Sequence, residues 1–515
     1  VVAGGAPRIH EAIFQGTLRE VGLNANLLEM ANLREQVAWA HSTSGNGAVM
    51  DKAKALVRMA AAKVSGAAPI RHTPAEVNHR ALVLGGGIAG MTAALTFAQQ
   101  GFDVVLVERE ERLGGNLQHI YTGFYGSDPQ QLLRDTIKQV QENQRITLLL
   151  EAELREFSGH VGAFHSRVKQ ADGSWYEAQH GATVIATGAG EIEPVEYGYG
   201  TLPGVMTQRE YEQLLGNGRL GERASGESPN LPIPNSPIPN PPIPQSIVMI
   251  QCVGSRDEQR PYCSRICCAE AIKNAIETKK RSPQTQVSIL YRDIRTYGFK
   301  EDLYREARAL GVLFLEYDPE KKATVSQENG RLSVQLLIQP ENEMVRLDAD
   351  MVVLSAGIEP APGNVALAQV LDLPLDEDGF FREANAKMRP LDFAHDGVYL
   401  CGLAHSPRTI DEAMAQARGA AMRAIVTLVK EKLPIQPNIA TVNPRLCSAC
   451  GICVDVCPFG ARVLPGENGY YAHVIDALCQ GCGTCVAACP NNACQQEGYQ
   501  VRQMFSVIDA ALALA

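Results

Sequence analysis

No stretch of this 515-residue chain stays apolar for the ~18–20 residues that a bilayer-spanning helix needs. A helical membrane span is therefore not expected. Positive charge is in the minority: 47 Lys and Arg against 57 Asp and Glu leave a net charge of −10. That balance argues against nucleic acid and against an anionic membrane surface as partners. Cysteine is absent before Cys252, so the first part of the chain can hold neither a thiolate-bound metal nor a disulfide. The opening Val1-Val2-Ala3 has neither Met nor a basic segment, and reads as a fragment or trimmed start, not a signal peptide. Apolar content of 45% and charged content of 20% describe a soluble globular protein. The length is too great for one core, and roughly two to four domains are expected.

The cysteines that are present are concentrated. Of the 14, all but Cys401 and Cys494 fall into three quartets. Cys447, Cys450, Cys453 and Cys457-Pro458, and again Cys479, Cys482, Cys485 and Cys489-Pro490, have the C-x2-C-x2-C-x3-C-P spacing of a two-cluster bacterial ferredoxin module. In such modules the fourth cysteine of each run serves the other cluster. Cys447, Cys450, Cys453 and Cys489 are thus assigned to one 4Fe–4S cluster, and Cys479, Cys482, Cys485 and Cys457 to a second. Gly451, Gly481 and Gly483 let amide groups turn toward sulfide. The third quartet, Cys252, Cys263, Cys267 and Cys268, has neither a zinc nor a disulfide spacing and reads as a further 4Fe–4S site. Its alternative is a buried cysteine pair plus a redox disulfide. Thiolates held by iron imply a reducing compartment, the cytoplasm by default. Cys401 and Cys494 read as packing residues.

A second constellation lies upstream. The apolar strand Ala81–Leu84 runs into Gly85-Gly86-Gly87-Ile88-Ala89-Gly90 and then a helix over 89–100. Gly85 allows the tight turn, Gly87 lets a pyrophosphate approach, and Gly90 lets helix and strand pack, with the helix N-terminus at Ile88 and Ala89 facing the phosphates. Glu108 ends the next strand, where a carboxylate can take ribose hydroxyls. Glu108-Arg109 with Leu113-Gly114-Gly115-Asn116, then Thr183-Val-Ile-Ala-Thr187-Gly188, then Gly397-Val-Tyr-Leu-Cys-Gly402 followed by a helix from Asp411, resemble the flavin motifs of the glutathione and thioredoxin reductase superfamily. That resemblance implies FAD. His405 and Arg408 would then lie near the flavin pyrimidine. The superfamily's second Gly-rich loop is missing. The strand Ile247–Ile250 meets Gln251-Cys252-Val253-Gly254-Ser255-Arg256-Asp257, and the next helix starts near Cys268. No direct NAD(P)H binding is expected.

Cys252-Val-Gly-Ser-Arg-Asp257 with Tyr262-Cys263-Ser264 and Cys267-Cys268 resembles the signature of the heterodisulfide reductase A-subunit family. Gly5–Glu11, Asn32–Gln36 with Trp39 and His41, Gly159–Gly162, Pro194–Gly200 and Tyr297–Lys300 extend the resemblance over almost the whole chain. It implies an α/β protein. An FAD-binding Rossmann-type core is flanked by an N-terminal helical segment and a C-terminal α+β ferredoxin domain. The expected parts are 1–75, a helical remnant of an iron–sulfur domain, with helices over Asn32–Trp39 and Asp51–Lys63; 76–220 and 351–435, the FAD-binding domain; 221–245, a Pro-Ile-Pro-Asn insertion, inert or a docking motif; 246–350, a nucleotide-domain-like region carrying the internal cluster; and 436–515, the ferredoxin domain and tail. Where the family carries N-terminal cysteines, this chain has Gly5 and Val37. The resemblance further implies Lys300 beside flavin N5, although the same residue reads equally as a solvated lysine at a helix start. His10, His41 and Trp39 read as packing or interface residues.

Two functions compete, with a structural adaptor as a third. The first is an electron-transfer subunit holding FAD and three 4Fe–4S clusters. It would bifurcate electrons between a two-electron donor, a disulfide-reducing partner and ferredoxin. Its partners would be heterodisulfide reductase B- and C-like subunits and a hydrogenase- or dehydrogenase-linked input subunit, with room for a homodimer in the complex. The second is a stand-alone FAD-dependent dithiol–disulfide oxidoreductase using Cys267 and Cys268. Adjacent cysteines make a poor redox pair, which counts against it.

Overall fold

Ala81–Leu84, Val104–Val107 and Ala182–Ile185 are buried at every position, as strands of a parallel sheet covered on both faces must be. They belong to a five-stranded parallel sheet in the order Val398–Leu400, Ala182–Ile185, Ala81–Leu84, Val104–Val107, Ile146–Leu149. The chain builds outward from Ala81–Leu84 on one side and then returns to its other side at Ala182–Ile185. Such a reversal opens a crevice beyond the strand ends, here at Gly85 and Thr187-Gly188. The helix over Ile88–Gln99 packs against the helix over Ile410–Leu428.

The same plan recurs once. A second five-stranded parallel sheet has the order Val205–Thr207, Met351–Ala356, Ser246–Val253, Gln286–Tyr291, Leu313–Glu316. Its reversal falls between Ser246–Val253 and Met351–Ala356. Two three-stranded antiparallel sheets accompany these, over 153–180 and 324–349.

This computed structural model describes residues 1–41, 46–70, 75–216, 244–433, 438–464, 466 and 470–513. Of the Pro-Ile-Pro-Asn insertion expected over 221–245, residues 221–243 lie outside them. Residues Val77–Lys430 form one compact unit, and Val1–Glu76 with Glu431–Ala515 another. No helix among the described residues is long and apolar enough to cross a membrane.

In the second unit, the helices Asn46–Ser65 and Val501–Leu512 pack together. Gln503 Nε2 donates to the Lys63 carbonyl at 3.4 Å, and the Lys63 ammonium lies 4.4 Å from the centre of the Tyr499 ring. One local expectation is corrected. Asn32–Trp39 is not a regular helix: Asn32 closes a short strand, Met30–Asn32, paired with Val2–Gly4, and Arg34–Trp39 forms a wide π-helical turn. The Asn32 side chain binds both the amide and the carboxylate of Glu35, at 3.1 and 2.9 Å, which favours a turn start over a continuous helix. Val37 is buried, and a Cβ on Gly5 would lie 2.4 Å from the His10 ring. Trp39 is exposed, and His41 meets Lys52 at 2.7 Å.

Candidate functional site

The first crevice deepens into a cleft of about 1060 Å3. Gly85, Gly87, Ile88, Ala89, Glu108, Arg109, Gly115, Asn116, Thr187 and Gly188 all line it. The glycines divide into two kinds. A Cβ on Gly87 or Gly188 would meet nothing within 4 Å, because both open onto the cleft. A Cβ on Gly90 would lie 1.7 Å from the Gly85 carbonyl oxygen, and one on Gly402 2.9 Å from the Ala89 Cβ. Gly90 and Gly402 therefore serve helix packing and do not line the cleft. Glu108 accepts the Gly86 N–H at 2.5 Å and the Glu110 N–H at 2.8 Å, which fixes its carboxylate at the rim.

His405 also stands behind the wall. Its imidazole meets Glu383 at 3.0 Å, Arg408 at 3.1 Å and Gln416 at 3.3 Å, while Gln416 accepts the Gly402 N–H at 3.0 Å. Burial lowers the His405 pKa. Arg408 does line the cleft, and its buried Nε has no partner. An orphaned donor on the wall suits the carbonyl-rich edge of a flavin. The open cradle at Gly87 and Gly188 suits a pyrophosphate. The residues present therefore fit FAD. Lys300 stands one layer back: its ammonium sits 4.6 Å from the centre of the Tyr297 ring and 5.5 Å from that of Phe124, and Phe124, not Lys300, faces the cleft. Lys300 does not itself line the cleft; its ammonium lies over the rings of Phe124, which does, and of Tyr297.

At its inner end the cleft carries charges that sequence reading did not single out. Glu191, Arg209, Glu212, Glu270 and Lys273 all line it. Lys273 and Glu212 form an ion pair at 2.7 Å with both side chains buried. Glu212 also accepts the N–H groups of Tyr121 and Thr122 at 2.9 and 3.0 Å. Burial, with Glu270 adding to it, pushes the Glu191 carboxyl up to about 8. Burial and Arg209 push His119 down to about 4. No sequence motif announces this group, because three separate segments supply it.

The second crevice, where a nucleotide would bind in a doubly wound sheet, is taken by the internal quartet. Cys252, Cys263, Cys267 and Cys268 line one small chamber with Arg256, Arg265 and Arg295. Cys252, Arg256 and Arg265 adopt left-handed backbone angles, φ +62°, +60° and +61°, and such strain persists only where the surroundings enforce it. Cys267 and Cys268 open the helix Cys267–Arg281, whose N-terminus favours anionic sulfur. The Arg265 amide donates to Cys263 Sγ at 3.3 Å. Its guanidinium donates to the Pro407 carbonyl at 3.2 Å and to Glu412 at 2.7 Å. Burial raises the Glu412 pKa, but the Thr409 N–H, the Tyr297 hydroxyl and Arg265 outweigh it and hold the carboxylate low. Glu412 also closes the capping box of the helix Ile410–Leu428, whose first residues face the cleft. One arginine thus ties the quartet to the flavin side.

The two remaining quartets form as the spacing predicts. Cys447, Cys450, Cys453 and Cys489 line one chamber, and Cys457, Cys479, Cys482 and Cys485 another. Each gathers its fourth cysteine from the other run. Backbone amides aim at the sulfurs: Ala449 at Cys447, Ala461 at Cys457 and Ala440 at Cys479, at 3.4, 3.3 and 3.3 Å. Ala449, Gly451, Gly481 and Gly483 take positive φ to allow this turn. Among the described residues no group of three or more His, Cys, Asp or Glu closes on a single metal ion. The cysteines ring chambers instead, and these donors suit iron–sulfur clusters. Cys401 is fully buried packing, its thiol pushed up to about 12 by burial. Cys494 is more than packing: it joins the wall of the Cys447 chamber.

Fold and site together define an iron–sulfur flavoprotein oxidoreductase, a reductase-type flavin core with a ferredoxin-type module on the same chain. Residues 79–218 match the pyridine nucleotide-disulphide oxidoreductase family, and residues 446–494 the 4Fe-4S dicluster domain. Among similar proteins is the A subunit of the H(2):CoB-CoM heterodisulfide,ferredoxin reductase of Methanothermobacter thermautotrophicus, 33% identical over 99% of this chain and 88% of that one. The A subunit of the Ferredoxin:CoB-CoM heterodisulfide reductase of Methanosarcina acetivorans is 32% identical over 90% of this chain and 70% of that one. Thioredoxin reductase of T. acidophilum aligns with a TM-score of 0.44 at 14% identity, covering 68% of this chain and 100% of that one. The chain belongs to the heterodisulfide reductase A-subunit family. It is an FAD-dependent oxidoreductase component with iron–sulfur clusters.

Proposed function

We propose that this chain carries electrons between one FAD and three 4Fe–4S clusters inside a heterodisulfide reductase complex, and that it divides electron pairs between a disulfide-reducing branch and ferredoxin. The observation behind this reading is the second crevice. A cysteine quartet occupies the sheet reversal where a nicotinamide nucleotide would sit, and Arg265 links it to the capping carboxylate of the flavin-side helix. When bound, FAD supplies the exchange between electron pairs and single electrons. The chain's own residues do the rest. Gly85, Gly87, Thr187 and Gly188 admit the cofactor, Glu108 takes its ribose, and Arg408 offers an N–H to its polar edge. His405 orients Arg408, and Lys300 backs Phe124. Arg256, Arg265 and Arg295 balance the charge of the internal cluster. Cys447, Cys450, Cys453 and Cys489, and Cys457, Cys479, Cys482 and Cys485, would hold the module's two clusters, which would serve the ferredoxin branch. B- and C-like subunits would take the other branch to a heterodisulfide such as the CoB-CoM one in the relatives' names. A hydrogenase- or dehydrogenase-linked partner would supply the pairs, in the cytoplasm. Cys267 and Cys268 are buried, which leaves no approach for a substrate disulfide and disfavours a stand-alone disulfide exchanger.

Anaerobic iron and flavin analysis tests the reading. The purified chain should hold about twelve irons, four per cluster in three clusters, and one FAD. Cys267→Ala should lose about four irons. A wild-type content of about eight irons, unchanged in the variant, would sink the internal cluster.

A further inference from the structure

The two halves of the ferredoxin module are related by an internal repeat, and one of the positions at which they differ joins the two halves. Five residues past Cys457 stands Arg462; five past Cys489 stands Cys494. Each opens a short strand, Arg462–Val463 and Cys494–Gln496. The side chains at these equivalent positions meet: Arg462 Nη2 donates to Cys494 Sγ at 2.8 Å. Arg462 lines the Cys457–Cys479–Cys482–Cys485 chamber, while Cys494 lines the Cys447–Cys450–Cys453–Cys489 chamber. The pair therefore spans the partition between the two quartets.

The arginine is 2% exposed. Its Nε and Nη1 are buried without a hydrogen-bond partner among the described residues. A buried cation needs a compensating negative charge. The Arg462 guanidinium lines one chamber and donates to a sulfur in the wall of the other. Iron–sulfur clusters held by thiolates are anionic, and their potentials follow net charge and hydrogen bonds to sulfur. We propose that Arg462 is a redox-positioning residue: its guanidinium, sealed between the quartets, favours the reduced form of the cluster that Cys457, Cys479, Cys482 and Cys485 would hold, whose chamber it lines, and sets the module's two clusters at unequal potentials. Reduction adds one electron to a cluster and moves no proton, so a fixed positive charge at the partition is sufficient for the effect. A thiol at the equivalent position of the other half supplies no such charge, and the asymmetry follows.

The inference rests on both module quartets holding clusters, so iron content is measured first on each protein. Full-length chain with its clusters is titrated potentiometrically and followed by EPR, as wild type, Arg462→Met and Arg462→Lys. At wild-type iron content, Arg462→Met should show at least one module signal with a tenfold lower reduced-to-oxidised ratio at fixed potential, about 59 mV for one electron. Arg462→Lys should stay within about threefold of wild type, since it keeps the charge. Unchanged midpoints in a fully loaded Arg462→Met protein overturn the proposal, as does a lysine variant that shifts as far as the methionine one. Should Arg462→Met fail to hold iron, Arg462→Gln, which keeps a donor without the charge, takes its place and the same two outcomes decide. Low iron in the wild type would instead defeat the two-cluster reading on which the inference stands.

Discussion

Two glycines three residues apart show how much a single side chain decides here. Gly87 opens onto the cleft and Gly90 is closed by the Gly85 carbonyl. Gly90→Ala should lower stability by ~2–3 kcal/mol or prevent folding, because neither backbone can yield. Gly87→Ala should keep near-wild-type stability but bind FAD at least tenfold more weakly, since the added methyl occupies cofactor space. Urea unfolding and flavin titration distinguish the two. Glu191 is the other residue-scale case. Its folded pKa of about 8 stands above its ordinary 4.5. Between those values the folded chain keeps a proton that the unfolded chain has lost, so this carboxyl's contribution to stability falls as pH rises through that window. Arg209 and Glu210 on one helix, Glu270 on another and Tyr199 nearby face it, and remain common to both proteins. Glu191→Gln should thus melt close to wild type at about pH 4.5 and progressively above it toward pH 8. Paired melting curves that stay parallel across this range would refute the assignment.

At the scale of elements, the helix Cys267–Arg281 does two jobs. Its first turn presents Cys267 and Cys268 to the internal chamber, and one turn later Lys273 pairs with Glu212 from the helix Gln208–Gly216. Glu212 in turn holds the chain at Tyr121 and Thr122, next to the cleft segment around Phe124. Breaking this pair leaves a buried charge unmatched. Lys273→Met should cost ~3–5 kcal/mol, measured by chemical unfolding, whereas replacing both partners by apolar residues should recover part of that loss. Because the same helix positions two quartet cysteines, the single variant should also lose iron from the internal site before the module quartets lose theirs.

Across the whole molecule the two compact units differ in what holds them together. The unit of 77–430 has extensive apolar cores built on two parallel sheets. The module's cluster-bearing core is small, with Cys453, Cys479, Cys485 and Cys494 making up half of its buried residues. Anaerobic chelation of iron should therefore abolish the module's thermal transition while leaving the larger unit's transition in place, as differential scanning calorimetry can record. This contrast also marks what the sequence alone determined. Short-range chemistry was legible: the turn at Gly85–Gly90, the apolar strands beside it and the two ferredoxin runs are written within a few residues of one another, so local backbone geometry suffices to read them. The cross-assignment of Cys457 and Cys489 was legible too, because the C-x2-C-x2-C-x3-C-P runs of a two-cluster module send the fourth cysteine of each to the other cluster. The tertiary structure alone decided the rest. Asn32 stopped a helix that composition favoured, and Lys300 came to lie over the Phe124 ring and outside the cleft lining. Glu191, Arg209, Glu212, Glu270 and Lys273 met at the inner end of the cleft, and Arg462 came to stand between two sets of thiolates with its Nε and Nη1 unpartnered. In each case the deciding contact joins segments distant along the chain or depends on burial, and neither packing distance nor desolvation can be read from the order of residues.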